Sequence, residues 1–392
     1  MKAKSTLPIL GLQIFLVMVG FGIIIPVLPF YARDLGANPT ELGWLMAVYS
    51  AMQLIFAPVW GRISDNIGRK PVMMIGISGL ALSFFLMAIA TELWMLFVAR
   101  IIGGILSSAN MPTASAYVAD ITTPENRSKG MGIIGAAAGL GFIVGPAIGG
   151  IFSKISLQLP FIVAGVSSLI TIVLVLFLLK ESLPREMRGI APEKQPSRFE
   201  GLRGTNSFLF ILQFFVSFSL AGLEATFAYF GAARAGLGST EIGYIFMIMG
   251  LASAFVQGGL MGPLAKRFGE GGIIQGGIIV SALGFGLILL TDSFLTAAIF
   301  LSIFGLGNGV IRPALTALLT KSAGKHHGNV TGLLSSFDSL GRIVGPPVGG
   351  ALFEISIGLP YLTGVILSFV ALGIYFLYKV KVQTVKEKVK HI

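Results

Sequence analysis

The sequence predicts an all-α polytopic membrane protein in which twelve transmembrane helices form two pseudo-symmetric six-helix halves. Three observations lead to this fold class. The 392 residues are 54% hydrophobic and only 11% charged, which leaves too little charge to cover a soluble protein of this size. Apolar runs of about 20 residues, the length that a helix needs to cross a bilayer, recur along the chain. Motifs of the first half also return two hundred positions later in the second half.

The apolar runs define twelve predicted spans. They cover residues 7–31, 41–60, 71–91, 94–118, 130–152, 158–180, 207–232, 241–261, 271–291, 294–319, 328–353 and 357–378. The first run is too long for the apolar part of a signal peptide and is expected to be a transmembrane helix. With both termini in the cytoplasm, 22 of the 28 lysines and arginines fall in cytoplasmic segments. The net charge of +11 therefore indicates membrane topology rather than nucleic-acid binding.

The longest polar stretch, 181–206, is rich in proline, glycine and mixed charge. It is predicted to be a cytoplasmic linker between an N-terminal bundle (1–180) and a C-terminal bundle (207–392). The repeated scaffold positions are Gly141, Gly145, Pro146 and Gly149 in the first half and Gly341, Gly345, Pro346 and Gly349 in the second. A repeat of this kind is typical of two equivalent halves around a central transport path.

The repeated stretches GFIVGPAIGG (141–150) and GRIVGPPVGG (341–350) place glycines four residues apart, on one face of a helix. Because lipid gives helices no hydrophobic reason to associate, such a face favours close backbone approach. The proline lacks a backbone donor and is expected to bend the helix. We predict that the fifth and eleventh spans form moving interfaces at the boundary between the halves. Static tight packing is the alternative.

Four short motifs together resemble the major facilitator superfamily. Gly132 followed by 141–150 resembles its fifth-helix antiporter motif, and GRISDNIGRK (61–70) its loop motif between the second and third helices. RIIGG (100–104) is similar to the fourth-helix arginine motif, and GIIIPVLP (22–29) to the first-helix proline signature of twelve-span drug:proton antiporters. The resemblance covers essentially the whole chain. It is strongest to bacterial multidrug exporters of the fluoroquinolone-exporting type, whereas tetracycline exporters look similar in the first half.

The resemblance implies a proton-driven antiporter that exports hydrophobic or amphipathic drugs by alternating access. We expect a monomer in the bacterial cytoplasmic membrane, with protons as the coupling ion and no other cofactor. The alternatives are a proton-coupled exporter of one metabolite, such as a sugar or lipid precursor, or of a single antibiotic class, and a membrane enzyme or scaffold. The sequence has no phosphate-binding loop, no cysteine and three histidines without metal-ligand spacing, so neither ATP hydrolysis nor a metal site is predicted.

Asp65 is the one acid among the basic residues of the 61–70 motif and can accept charge-assisted hydrogen bonds, including bonds from across the interface between the halves. The resemblance implies that such contacts hold one conformation. The second copy has Lys266 in place of this acid, so only the first half keeps the complete motif. The conformational candidates here are Gly61, Asp65, Gly68 and Arg69. For Arg69 and Lys70, anchoring of the topology is the alternative.

Five ionisable residues lie well within the predicted spans: Arg100, Glu224, Arg312, Asp338 and Arg342. Each costs roughly a few kcal/mol to insert, so each is a functional candidate. Glu224 is the predicted proton carrier, with a structural ion pair as the alternative. Asp338 is a second candidate, although it can pair with Arg342 four residues away. Arg100 and Arg312 are expected to act on a nearby carboxylate or to release its proton.

Gly309 stands where the resemblance expects a second acid, just before an Ile-Arg-Pro element in the tenth span. This departure leaves the number of coupled protons and the preference for cationic drugs open. The acids that tetracycline exporters carry in the first and ninth helices are also absent, which counts against that substrate.

Aromatic, methionine and amide side chains supply the candidate substrate contacts, because such surfaces adapt to varied apolar shapes. Tyr49 and Gln53 lie one turn apart on the second span, and the resemblance implies that Gln53 lines the drug cavity. The further candidates are Met18, Phe21, Met111, Phe142, Phe218, Phe227 and Tyr229. For every one except Gln53, internal packing or contact with lipid is the alternative.

Overall fold

The computed structural model describes residues 3–189, 204–322 and 327–390, and the regular elements in these ranges are helical. The α-helices are α1 (Ala3–Asp34), α2 (Pro39–Ile67), α3 (Arg69–Ala88), α4 (Leu93–Ser107), α5 (Asn110–Ile121), α6 (Pro124–Ser153), α7 (Leu159–Leu178), α8 (Ser207–Ala235), α9 (Ser239–Phe255), α10 (Met261–Ile288), α11 (Phe294–Ser322), α12 (His327–Ile355) and α13 (Leu359–Lys390). Each predicted span falls mainly on these helices, so the predicted all-α membrane fold is confirmed.

Most of the twelve predicted membrane crossings correspond to a single helix, but some do not. Within the described ranges, ten helical segments are long and apolar enough to cross a bilayer. One of them, Leu93–Ile121, consists of α4 and α5. Another, Ser239–Ile288, holds two crossings, because the backbone at Gly269 is non-helical (φ 67°, ψ 169°) and separates them. The remaining crossing is α12, which is 29 residues long and carries two of the embedded charges.

Local signals explain where several helices begin and end. At the start of α2, the Asn38 side chain accepts a hydrogen bond from the Glu41 backbone N–H (2.7 Å), and the Glu41 carboxylate accepts one from the Asn38 N–H (2.9 Å). This capping box satisfies two donors that a helix start leaves unpaired. Gly236, in the left-handed region with φ 63°, ends α8.

The chain divides into two compact units. Unit 1 comprises Met1–Pro192 with Leu237–Met247, and unit 2 comprises Glu193–Gly236 with Ile248–Ile392. The first turns of α9 therefore pack with unit 1. The predicted linker 181–206 starts on unit 1, where the Gly189 N–H donates to the carbonyl of Asp65 (3.2 Å). Residues 190–203 of that linker lie outside the described residues, and the domain boundaries stay a prediction.

Helix pairing inside the two units follows the sequence repeat. In unit 1, α1 packs on α6 and α7, and α3 packs on α4 and α7. In unit 2, the equivalent helix α8 packs on α12 and α13, and α10 packs on α11 and α13. The helix pair α1–α6 of unit 1 therefore corresponds to the pair α8–α12 of unit 2, and the repeated sequence positions lie on these paired helices.

The glycines of α6 bring its backbone against α1. A methyl group placed on Gly141 would lie 2.5 Å from the carbonyl oxygen of Phe15, and one on Gly145 would lie 2.7 Å from the Cα of Gly22. A methyl group on Gly149 would overlap the carbonyl of Ile23. Only glycine permits this approach, which gives two helices in lipid their packing energy.

Unit 2 repeats the arrangement between α12 and α8. A methyl group on Gly341 would lie 2.7 Å from the carbonyl oxygen of Phe214, and one on Gly349 would lie 3.1 Å from the Cα of Gly222. Gly345 likewise abuts Phe218. These glycines contact a helix of the same six-helix half, because the spacing of four marks a close helix contact without saying which helix is the partner. The predicted moving interface at the boundary between the halves stays a prediction.

Candidate proton-coupling site

The four embedded charges of the second half lie together in unit 2. Arg342 Nη1 lies 3.3 Å from Glu224 Oε2, and Arg342 Nε lies 3.7 Å from Asp338 Oδ2. Arg312 Nη1 also lies 3.7 Å from Asp338 Oδ2. The contacts form a chain, Glu224–Arg342–Asp338–Arg312, in which carboxylates and guanidinium groups alternate. We call these four residues the charge network. Each acid has an arginine partner, as the ion-pair alternatives anticipated.

The glycine packing positions this charge network. Glu224 lies on α8, two residues after Gly222, which packs against Gly345 and Gly349 of α12. Asp338 and Arg342 lie one turn apart on α12, and Arg312 reaches them from α11. Arg312 is 53% exposed, Arg342 33%, Asp338 15% and Glu224 7%, so the charge network runs from a half-exposed guanidinium to a buried carboxylate.

Two polar side chains of α8, which sequence reasoning missed, bind Asp338. Ser217 Oγ donates to Asp338 Oδ1 at 2.5 Å, and Gln213 Nε2 donates to the same oxygen at 3.1 Å. The sequence held a signal for one of them, since Gln213 matches Gln13 at the two-hundred-residue offset. Within the described part of unit 1, neither amide atom of buried Gln13 has a partner, and Ala138 stands where Asp338 does. The two halves therefore share the amide, whereas the acid is present in the second half alone.

The two carboxylates differ in the number of ion pairs and hydrogen bonds that protonation would weaken. Asp338 faces Arg312 and Arg342 and accepts two further hydrogen bonds. Among the described residues, Glu224 has Arg342 as its one ion-pair partner. Glu224 therefore gives up fewer contacts when it takes up a proton, although it is the more buried acid. This difference favours Glu224 as the exchanging group.

Arg100 of α4 has a different environment. Its guanidinium carbon lies 4.1 Å from the centroid of the Tyr49 ring, and its Nε donates to the Leu45 carbonyl at 3.4 Å. In the described ranges no carboxylate lies within ion-pair distance of Arg100, so the expectation that it acts on a nearby carboxylate is not met. The face of the tyrosine ring attracts the cation instead. Tyr49 also bonds Ser107 Oγ (2.5 Å) and accepts from Gln53 Nε2 (3.1 Å), which forms a polar cluster inside unit 1.

The 61–70 motif forms the adjoining ends of α2 and α3 rather than a loop. Gly68 alone is non-helical, with φ 109°, a value that favours glycine. Arg69 lies between two acids, with Nη1 2.6 Å from Asp65 Oδ1 and Nε 3.0 Å from Asp120 Oδ2. Sequence reasoning missed Asp120, at the end of α5. In the described structure the ion-pair partner of Asp65 comes from its own motif, within unit 1.

Glu181, assigned by sequence to the linker, caps the start of α3. Its carboxylate accepts hydrogen bonds from the backbone N–H groups of Arg69 (2.8 Å) and Lys70 (3.0 Å). A negative charge at a helix start satisfies unpaired donors and complements the helix dipole. The cap ties the segment after α7 to the 61–70 motif.

Replacing Glu181 by alanine is expected to lower the thermal unfolding temperature, because the loss of such a cap costs about 0.5–2 kcal/mol. Drug transport should fall moderately. Glu186→Ala, at an exposed position in the same segment, is the matched control. Equal unfolding temperatures for the two variants would show that the cap contributes nothing.

A second face of α6, about 100° round the helix from the first, meets the first turns of α9 within unit 1. Thr240 Oγ1 donates to the Gly150 carbonyl at 2.7 Å, and Ser153 and Ser239 share a hydrogen bond of 2.7 Å between their hydroxyl oxygens. Gly243 lies against the Pro146 carbonyl. The 141–150 motif thus has two roles, since its glycine face holds α1 and its Pro146–Gly150 face holds α9.

The motifs and the helix packing have a counterpart among known proteins. The model of the Major Facilitator Superfamily matches residues 10–327 and 209–391. The chain belongs to this superfamily. It is 34% identical to Multidrug resistance protein 2 of Bacillus subtilis, over 97% of this chain and 96% of that protein. It is 33% identical to the class C tetracycline resistance protein of Escherichia coli, over 95% and 96%. The likeness to a tetracycline resistance protein therefore extends beyond the first half.

The fold agrees with solved structures of this superfamily. The crystal structure of the nucleoside transporter NupG is similar to this chain with a TM-score of 0.77, covering 96% of this chain and 98% of that one. At 15% identity this likeness concerns the fold alone. The chain is thus a multi-pass membrane protein of the major facilitator fold.

The candidate substrate side chains of this superfamily member differ in exposure. Met111 and Phe142 are exposed, Met18, Phe21, Gln53 and Phe218 are half-buried, and Tyr49, Phe227 and Tyr229 are buried. The Phe21 ring meets Tyr49 edge-on, with centroids 5.4 Å apart. Tyr229 packs on Phe353. Phe227 is fully buried and has no surface for a substrate in this conformation. Their roles in binding stay predictions.

Proposed function

We propose that the protein is a proton-driven antiporter that exports hydrophobic or amphipathic drugs from the cytoplasm by alternating access. The observation that carries the proposal is the buried Glu224 carboxylate, which is 7% exposed and held by Arg342. Relatives named as multidrug and tetracycline resistance proteins support the drug class. We place the protein in the bacterial cytoplasmic membrane as a monomer with both termini inside, with protons as the coupling ion and no other cofactor.

Protonation of Glu224 removes the negative charge that faces Arg342, so their ion pair weakens. Arg342 keeps its second partner, Asp338, and turns towards it. Because Glu224 lies on α8 and Arg342 on α12, this change alters a restraint between two helices that pack through glycine. Proton uptake from outside and release inside thereby bias the helix packing of unit 2 in opposite directions, which is the coupling that alternating access requires.

A proton-coupled exporter of one metabolite or one antibiotic class is the second candidate. The half-buried Gln53, bonded to Tyr49, supplies a directional hydrogen-bonding group of the kind that a specific site uses. Growth of expressing cells against unrelated toxic compounds separates the two. Protection against several unrelated classes supports the drug exporter, and protection against one class supports the alternative.

Reconstitution tests the proposal directly. Proteoliposomes with an imposed pH gradient should accumulate a drug, and an uncoupler that collapses the gradient should stop the accumulation. Accumulation that is indifferent to the uncoupler, or no drug movement at all, contradicts proton-driven export. Empty liposomes of the same lipid provide the control for passive drug partition.

A further inference from the structure

We infer that this transporter exports neutral or zwitterionic amphipathic compounds and excludes lipophilic cations. The inference rests on the proposed function, because it names the charge class of the exported drugs. The juxtaposition that carries it is the charge network of unit 2, in which each carboxylate is matched by a guanidinium group.

The charge network has no excess negative charge. With both acids ionised, two carboxylates face two guanidinium groups, and the sum of the charges is zero. Once Glu224 takes up a proton the sum becomes +1. The fifth embedded charge, Arg100 in unit 1, is a cation as well. A lipophilic cation that leaves water for a site in the membrane needs a counter-charge, and here each acid already has an arginine.

The order in which the four charged side chains are exposed also disfavours the binding of cations. Arg312 is the most exposed member at 53%, whereas Asp338 and Glu224 lie behind it at 15% and 7%. A compound that approaches the charge network from its exposed end therefore meets a positive charge first. Gly309, one turn before Arg312 on α11, has no side chain and so adds no negative charge. The side chains next to it, Ser253 and Gln257, are neutral as well.

Anionic drugs are excluded for a different reason, which follows from the exchange of drug for protons. In an antiporter, the proton and the drug must oppose each other's binding. A proton on Glu224 makes the charge network more positive, which strengthens its hold on an anion instead of releasing it. Neutral and zwitterionic compounds avoid both penalties, because their binding changes no net charge and their competition with the proton operates through conformation.

The test compares matched probes in proteoliposomes that carry the wild-type protein and a pH gradient. Tetraphenylphosphonium is the cation, triphenylphosphine oxide is a neutral compound of similar shape, and norfloxacin is a zwitterion. We expect kcat/KM for the cation to be at least about tenfold below that of either other probe, since one uncompensated charge costs more than 1.4 kcal/mol near a protein surface. Equal values for the cation and the neutral probe would overturn the inference.

Two variants at one position sharpen the test. Arg312→Gln leaves Asp338 with one guanidinium partner and gives the charge network a net charge of −1 when both acids are ionised. We expect it to raise the ratio of cation to neutral transport by about tenfold, whereas Arg312→Lys, which keeps the charge, should leave the ratio near that of the wild type. A ratio that Arg312→Gln does not change contradicts the inference, provided that the variant elutes as folded protein; if it does not fold, the wild-type comparison decides.

The outcomes separate this inference from the proposed function. If no probe moves under the pH gradient, proton-driven export itself fails and the inference fails with it. If cations move as well as neutral compounds, export stands and only the charge selectivity is refuted.

Discussion

Replacing Glu224 by glutamine is expected to abolish proton-driven drug accumulation while leaving the protein folded. The amide keeps the size and the hydrogen-bonding oxygen of the carboxyl group, but it cannot take up or release a proton. Arg342 retains its contact with Asp338, at 3.7 Å, so the guanidinium keeps one charged partner. Loss of the Glu224 pair should cost about 1–3 kcal/mol of stability, a cost that a folded protein of this size can tolerate.

Two assays in proteoliposomes separate loss of coupling from loss of drug binding. With a pH gradient, the glutamine variant should equilibrate a drug without concentrating it. Without a gradient, exchange of labelled for unlabelled drug should persist, because that exchange needs no net proton movement. Glu186→Gln, at an exposed position, is the control and should behave as the wild type. Gradient-driven accumulation at the wild-type level by Glu224→Gln would show that another group carries the proton.

Replacing Gly145 by alanine is expected to destabilise the protein by about 1–3 kcal/mol, the usual cost of overpacking. The added methyl group would lie 2.7 Å from the Cα of Gly22 and from the carbonyl oxygen of Val19. Both atoms belong to the backbone of α1, which cannot rotate aside as a flexible side chain can. The two helices must separate, and the contact that holds α6 on α1 weakens along its whole length.

The same helix contains a control position at which alanine is expected to have the opposite effect on stability. A methyl group on Gly139, also in α6, would meet no atom within 4 Å. Gly139→Ala should therefore be neutral or stabilising by up to about 1 kcal/mol, because alanine favours the helix over glycine. Thermal unfolding in detergent and the yield of monodisperse protein measure both variants. Equal unfolding temperatures would show that close packing at Gly145 contributes no stability.

Much of the architecture was predictable because its causes are local in the chain. A helix that crosses a bilayer needs about 20 apolar residues, so hydropathy alone located the spans. The cost of a charge in the membrane singled out Glu224 and Asp338 without any structure. The repeat at two hundred residues predicted two equivalent halves, and the equivalent helix pairs α1–α6 and α8–α12 are its structural expression.

The partners of these residues depended on tertiary structure, because a helical sequence does not state which helix its face will meet. The glycine spacing in α6 indicated a close contact, but only the packing identified α1 as the helix in contact. Glu181 lies more than one hundred residues from the helix start that it caps. Likewise, the sequence by itself determined that acids and arginines occupy the spans of the second half. Only the approach of α8, α11 and α12 decided that Arg342 is shared by Glu224 and Asp338, since contacts over such separations exist only once the chain is folded.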